Sequence, residues 1–295
     1  LQWSGRQTWP VRHPVVLGHE FCGIVAECPD TDGPWREGDR VVCDSVALFD
    51  PDSPLSRSGL HHLDPERKAF GSGVDGAMVE YVRVPERGLH RVPDSLRNEY
   101  AAMTEPSCVA YHAVIENSPI RPGCRVLIIG PGPIGLLCAS MARLAGAEVA
   151  VNGLEADLNR LDIAELIGCH AICGDPTDWC RRGDGLGVDV VIDAAGEPPA
   201  LKQALDLVRP AGWITKIGRD LQTPGVSLDP LVQKNITLRG SCSHHWSVRE
   251  QVLELLGSGR LNLSPLLGGV WALNEWQTAF EAMRSGRIPK AVLAP

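Results

Sequence analysis

The segment "RVLIIGPGPIG", residues 125–135, constrains this chain more than any other. Its first half is a short apolar run of the kind that forms a buried strand. The run is followed by Gly130, Gly132, Pro133, Ile134 and Gly135, which complete the pattern G-x-G-x-x-G. Beyond it, "PIGLLCASMARLAGA" has helical spacing and opens on a proline, a residue suited to a first helical turn. Glycines at these positions permit a tight turn, let the backbone approach a pyrophosphate, and bring the helix close against the strand. The helix N-terminus then presents N–H groups and the positive end of its dipole to phosphate. The glycine pattern alone is a weak signal, and its setting between strand and helix is what gives it content. The plain alternative is a strand-turn-helix corner that holds no ligand.

From about residue 108 onward, strand-like and helix-like segments alternate. "EVAVNGLE", "VDVVIDAAG", "GWITKIG" and "NITLRGS" read as strands, while "DLNRLDIAELIG", "PPALKQALDLVRPAG" and "SVREQVLELLGSG" read as helices. This rhythm predicts an α/β architecture with a doubly wound parallel sheet, a Rossmann dinucleotide-binding domain over residues 109–259. Glu155, twenty residues past Gly135, stands where an acidic side chain binds the adenosine ribose hydroxyls. Its charge favours NAD over NADP, whose additional phosphate it would repel. A solvated strand end is the competing reading of Glu155. Arg160 is either a helix-surface charge or a group near enough to accommodate a cofactor phosphate.

The front of the chain is different in style. Residues 15–26, 39–47 and 76–92 hold short β-rich runs between Gly, Pro and Asp, and residues 48–73 form a polar loop or lobe without periodicity. The tail returns to the β-rich style, so residues 1–108 and 260–295 are expected to form one β-rich domain around the dinucleotide domain. A length of 295 residues suits two such domains. The formal net charge of −8 gives no basic footprint for nucleic acid or an anionic membrane, and no apolar run is long enough to span one. Ten cysteines with no C-x-x-C pair read as reduced thiols, and with no secretory signal visible they point to the cytoplasm. Small-molecule chemistry is the class that remains.

That chemistry has a candidate in "LGHEFCGIV", where His19 offers an imidazole nitrogen and Glu20 a carboxylate beside a glycine turn. Oxidising an alcohol with NAD requires the hydroxyl proton to leave, and zinc with an open coordination position stabilises the resulting alkoxide near neutral pH. An adjacent His and Glu are, by themselves, more often surface polar groups.

The blocks "HPVVLGHEFCGIV", "GDRVV", "DGAMVEYVRVP", "TEPSCVAYHAVIENSPIRPGCRVLIIGPGPIGLL" and "AFEAMRSGRIPKAVLAP" occur in the order and spacing of the zinc-dependent medium-chain alcohol dehydrogenases. The chain resembles the sorbitol (polyol) and threonine dehydrogenase branch over nearly its whole length. The resemblance implies a GroES-like catalytic domain beside the Rossmann domain, with the substrate in the cleft between the two. It also implies one catalytic zinc and NAD as cofactors. His19 would bind the zinc, Glu20 would be a ligand or support one, and Glu105 would approach the metal directly or through water. Glu20 and Glu105 are thereby the catalytic candidates, and His19, Glu20 and Glu105 the metal set. A homodimer or homotetramer acting on a small-molecule alcohol is the family expectation.

Several departures accompany the matches. The family's further zinc ligand is a Cys in a block preceding this region, so the GroES-like domain is expected to be incomplete at its N-terminus, and none of Cys22, Cys28 or Cys43 matches that motif. Gln2 stands where many relatives have a relay His. Only Cys43 falls in the interval where relatives carry four structural-zinc cysteines, so no structural zinc is expected. His61 and His62 read as an exposed loop pair, and Ser241, His244 and His245 as cofactor-side loop or surface groups. His112 reads as a packed helix residue, and Trp271 and Trp276 as core. Val270 replaces an Arg near the substrate. A threonine-type amino-alcohol dehydrogenase, a zinc-free reductase of the same superfamily and a silent nucleotide-binding protein are the alternatives to a polyol dehydrogenase.

Overall fold

The run Arg125–Ile129 is a strand near the middle of a six-stranded parallel sheet. In the computed structural model, which describes residues 10–30, 32–219 and 225–295, the order of that sheet is Thr237–Gly240, Val208–Lys216, Val188–Asp193, Arg125–Ile129, Glu148–Gly153, His170–Cys173. After Arg125–Ile129 the chain adds two strands on one side, then crosses to build three on the other. The glycine loop therefore leaves its strand at the point where the winding direction reverses, where open α/β sheets bind ligands. Leu127, Ile128, Val191, Ile192 and Ile214 are buried to 0%. Each such side chain withdrawn from water contributes about 1.5–3 kcal/mol. The helix Pro133–Leu144 buries Leu136, Leu137 and Met141.

Two elements of this unit differ from the sequence reading. His170–Cys173, an edge strand with little β-branched character, pairs with Glu148–Gly153 and gave no alternating signal. The helix Pro198–Leu207 stops before the segment "VRPAG", which belongs instead to the strand Val208–Lys216. Pro210 cannot continue a helix and biases Arg209 toward extended backbone. The strand absorbs the mismatch as a register shift between Val208 and Trp213, with Ala211 at φ 57°.

The second unit is β-rich. Cys22–Ile24, Arg40–Cys43 and Leu89–Arg91 form an antiparallel sheet, Val46–Leu48 pairs with Lys68–Ala69, and Leu267–Ala272 pairs with Lys290–Ala294. Much of residues 76–92 is not regular strand. Gly76, Ala77 and Met78 instead donate to the carbonyls of Val16, Gly18 and Leu17. Gly18, at φ +98°, turns the partner segment out of a ladder, and a Cβ on Gly76 would lie 2.1 Å from the Gly18 oxygen.

The apolar cluster here centres on Cys43, Ala47 and Phe70, and buried polar groups accompany it. His61 and His62 are buried, at 7% and 1% exposure, rather than an exposed loop pair. Asp44, at the end of its strand, accounts for this: its carboxylate takes His61 Nε2 at 2.9 Å, and Phe49 packs on the His61 ring at 4.8 Å. Ser53 donates to Asp64 within the same polar lobe.

Among the described residues the units comprise 109–242 with Glu281–Lys290, and 10–108 with Ser243–Phe280 and Ala291–Pro295. The helix Trp246–Gly257 is grouped with the β-rich unit. The cause is a set of bonds to that unit: Glu250 pairs with His90, and the Gly257 carbonyl accepts from Ser95 at 2.8 Å. No helix among the described residues is long and apolar enough to cross a membrane.

Candidate metal and dinucleotide sites

The dinucleotide loop is shaped by close approach. Gly130 has φ +98°, and a Cβ on Gly135 would lie 1.9 Å from the Gly130 carbonyl oxygen, so the helix can meet the strand only with glycine there. Gly132 caps the helix with extended backbone (φ −67°, ψ 174°), and a Cβ on it would meet nothing within 4 Å. The space over Gly132 is thus open toward the first helical turn, where Pro133 has no N–H to give and Ile134 and Gly135 present theirs without intrahelical acceptors. Backbone N–H groups at such a helix start favour an anion.

The Glu148–Gly153 strand ends beside this loop, since a Cβ on Gly153 would lie 2.8 Å from Pro131. Glu155 follows at the start of a short 3-10 turn and is exposed. Arg160 is engaged elsewhere: Nη1 meets Asp157 at 3.2 Å and Nη2 donates to the Met283 carbonyl at 2.7 Å. Its cation ties the tail segment to this helix instead of standing open for a phosphate.

In the β-rich unit, one ligand atom from each of His19, Glu20 and Glu105 converge within 4.8 Å of one another. His19 and Glu20 follow the Gly18 turn, and Glu105 lies in the first turn of the helix Thr104–Tyr111. Glu105 is 7% exposed, whereas His19 and Glu20 are half-buried. An imidazole and two carboxylates suit zinc. Among the described residues no cysteine belongs to the cluster, and burial raises the Cys22 thiol to about 11 against the opposing Arg40 charge. Gln2 lies outside the described residues.

Residues that the sequence reading set aside complete the surroundings of Glu105. His244 is 1% exposed, and its Nε2 lies 3.9 Å from Glu105 Oε1, so it is no surface group. Arg249, also 1% exposed, places Nη2 3.2 Å from the same Nε2. Burial, reinforced by the Arg249 charge, pushes His244 down to about 3. Against the cost of burial, the His61 hydrogen bond and the Arg249 charge hold the Asp44 carboxyl well below the usual carboxylate range. A signal for Arg249 was present: it shares a helix face with the buried Leu253 and Leu256, four and seven residues on.

Other candidates resolve differently. His112 is buried, as a packed helix residue should be, and Ser241 accepts from Asn117 at 3.1 Å. Trp276 meets Phe280 edge-on at 5.6 Å and lines a cavity of about 540 Å³ with Leu17, Met78 and Pro295. That lining includes none of the three metal candidates. Val270 is 50% exposed.

Comparison with known proteins adds to this geometry. Residues 1–94 match the family described as alcohol dehydrogenase GroES-like domain, and residues 133–258 the family described as zinc-binding dehydrogenase. A sorbitol dehydrogenase of Halalkalibacterium halodurans is 34% identical over 97% of this chain and 85% of its own length. An L-threonine 3-dehydrogenase of Pyrococcus abyssi is 32% identical over 99% and 85%. Among solved structures, the alcohol dehydrogenase TADH from Thermus sp. ATN1 superposes with a TM-score of 0.89 at 28% identity, covering 99% of this chain and 88% of that one.

Proposed function

Because this chain belongs to the zinc-binding alcohol dehydrogenases, oxidoreductases that use zinc and NAD(P) on small-molecule alcohols, we propose that it oxidises a polyol-like secondary alcohol with NAD. The observation that carries the reading is the convergence of His19, Glu20 and Glu105 within 4.8 Å. His19, Glu20 and Glu105 would hold zinc there, which would supply a Lewis acid for the alcohol oxygen, and the glycine loop would hold NAD as the hydride acceptor.

The chain's own residues do the rest. His19 contributes an imidazole nitrogen, and Glu20 and Glu105 contribute carboxylate oxygens suited to a divalent ion. Glu105 is the more buried carboxylate, so its hold on a cation is strengthened by the lower local dielectric. Gly130, Gly132 and Gly135 shape the pyrophosphate cradle, the N–H groups of Ile134 and Gly135 face it, and Pro133 sets the helix start. Glu155 takes the ribose hydroxyls and selects NAD. Ten free cysteines suit a reducing compartment, which supports a cytoplasmic location. A homodimer or homotetramer completes the reading, on the strength of the family resemblance.

The test combines metal analysis with NAD reduction over a panel of sorbitol, xylitol, 2,3-butanediol and L-threonine. The proposal expects about one zinc per chain, turnover of a polyol, and loss of both zinc and turnover in Glu105→Gln. Preference for L-threonine would replace the polyol with an amino alcohol. Full zinc content in both His19→Ala and Glu105→Gln would refute the site.

A further inference from the structure

Asp193 is the last residue of the strand Val188–Asp193, and Lys216 the last of its parallel neighbour Val208–Lys216, where the two residues pair in register. Both stand at the carboxyl ends of the sheet strands, the edge along which open α/β folds bind ligands. Asp193 is 0% exposed, a place a carboxylate occupies only when paired and hydrogen-bonded. Its Oδ2 accepts from Lys216 Nζ at 2.8 Å, and its Oδ1 accepts from the Ala195 and Gly196 N–H groups at 3.2 and 3.3 Å. Its backbone is committed as well: the Asp193 carbonyl accepts from Ile217 and Gly218, both at 2.9 Å, and the next N–H, that of Ala194, donates to Ile129. One residue thus ties together the ends of three adjacent strands.

The segment it holds lies against the glycine loop. A Cβ on Gly130 would stand 2.8 Å from the Ala195 Cα, and a Cβ on Gly218 would stand 2.2 Å from the Gly196 nitrogen. Residues 195 and 196 therefore touch both the glycine turn and the segment after Lys216. Glu155 follows the strand Glu148–Gly153, which lies on the other side of Arg125–Ile129 in the sheet order. A dinucleotide lies across such a crevice with one half on each side. With the adenosine ribose at Glu155, the nicotinamide half falls to the ends of Val188–Asp193 and Val208–Lys216.

We propose that Asp193 and Lys216 are positioning residues for the nicotinamide half of the cofactor: their ion pair fixes residues 194–196 against the glycine loop, and so sets the backbone on which that half lies. The proposal rests on the dinucleotide site proposed above. Removing the ammonium leaves an uncompensated buried carboxylate at the junction of the strand ends, and the loop that it anchors loosens. Asparagine at 193 keeps one acceptor for the loop but brings an NH2 donor to the ammonium. Arginine at 216 keeps the cation.

The experiment compares NADH with AMP, which carries the adenosine half alone, on the full chain. NADH is titrated by its own fluorescence, and AMP by its protection against thermal unfolding. Forfeiting one or two neutral hydrogen bonds to the nicotinamide half corresponds to about tenfold in affinity, and Lys216→Met and Asp193→Asn should each weaken NADH by that factor. The emission of bound NADH should move toward that of the free cofactor, because the nicotinamide ring is held less firmly. AMP should bind both variants as it binds wild type, and Lys216→Arg should keep wild-type NADH affinity and emission. Thermal unfolding without ligand establishes that each variant is folded, and if Asp193→Asn does not fold, Lys216→Met and Lys216→Arg carry the test. Equal weakening of NADH and AMP would overturn the inference, since that is what a purely structural ion pair produces. Wild-type NADH affinity and emission in folded Lys216→Met would overturn it too, and leave the dinucleotide site standing. A wild-type chain that binds neither NADH nor AMP would overturn both.

Discussion

Two glycines three residues apart in the dinucleotide loop should respond oppositely to the same added methyl. At Gly132 a Cβ meets nothing within 4 Å, and φ is −67°, which alanine adopts freely. Alanine is a poorer helix cap than glycine by about 0.5–1 kcal/mol, but it gains about 0.4–1 kcal/mol by restricting the unfolded chain. Gly132→Ala should therefore leave stability close to wild type. At Gly135 the Cβ would lie 1.9 Å from the Gly130 carbonyl oxygen, so strand and helix must move apart by about an ångström. Overpacking of that kind costs about 1–3 kcal/mol, or about 2–10 °C in melting temperature for a domain of this size.

For cofactor binding the expectation differs. The Gly132 methyl occupies the space a pyrophosphate would enter and should remove at least one backbone N–H bond to it. A hydrogen bond to a charged group is worth about 1.5–3 kcal/mol, so NADH affinity should fall by about 10–100-fold. Scanning fluorimetry without cofactor and NADH fluorescence titration read the two effects separately. Wild-type NADH affinity in Gly132→Ala would refute the cradle, and wild-type stability in Gly135→Ala would refute the packing argument.

Two further expectations follow from buried and exposed carboxylates. Asp44→Ala strands His61 and Arg249 without their anion and should lower urea-unfolding stability by about 3–5 kcal/mol. Asp44 has a folded pKa held below its unfolded value of about 3.9, so its contribution is present above that pH and lost as pH falls through and below it. Urea midpoints recorded from pH 6 down to pH 3 should thus begin to draw together for wild type and Asp44→Asn only below about pH 4, with most of the gap persisting at pH 3, and a gap that does not narrow below pH 4 would contradict the pairing. Glu155→Ser removes the charge opposing an adenosine phosphate. At about 4 Å in high dielectric, one charge pair is worth about 1 kcal/mol, so KM for NADP should fall severalfold relative to KM for NAD, and an unchanged ratio would exclude Glu155 from the ribose site.

The dinucleotide half was legible because its signals are local. A strand, a glycine turn and a helix start within eleven residues encode their own geometry, and the alternation of periods through residue 240 reports which faces are buried. The pair His19–Glu20 was visible for the same reason, as a glycine turn with two donors beside it. The errors occurred where local pattern was silent. His170–Cys173 lacks alternation because it is an edge strand, and "DGAMVEYVRVP" has strand composition in a segment that pairs irregularly with a turn. His61 and His62 looked solvated because nothing nearby in sequence announces Asp44, seventeen residues earlier, as the acceptor that takes one of them inside.

What the sequence by itself determined is the α/β class, the dinucleotide loop, the relation to zinc-dependent alcohol dehydrogenases and the names of the metal candidates. Only the tertiary structure decided which charged side chains lie in water and which are buried together. His244 and Arg249 stand 139 and 144 residues after Glu105, yet one lies 3.9 Å from its carboxylate and the other 3.2 Å from that imidazole. Arg160 ends on a carbonyl 123 residues away. Periodicity reports a residue's environment along one element, whereas electrostatic partnership depends on which elements the fold brings within a few ångströms, where charges interact strongly.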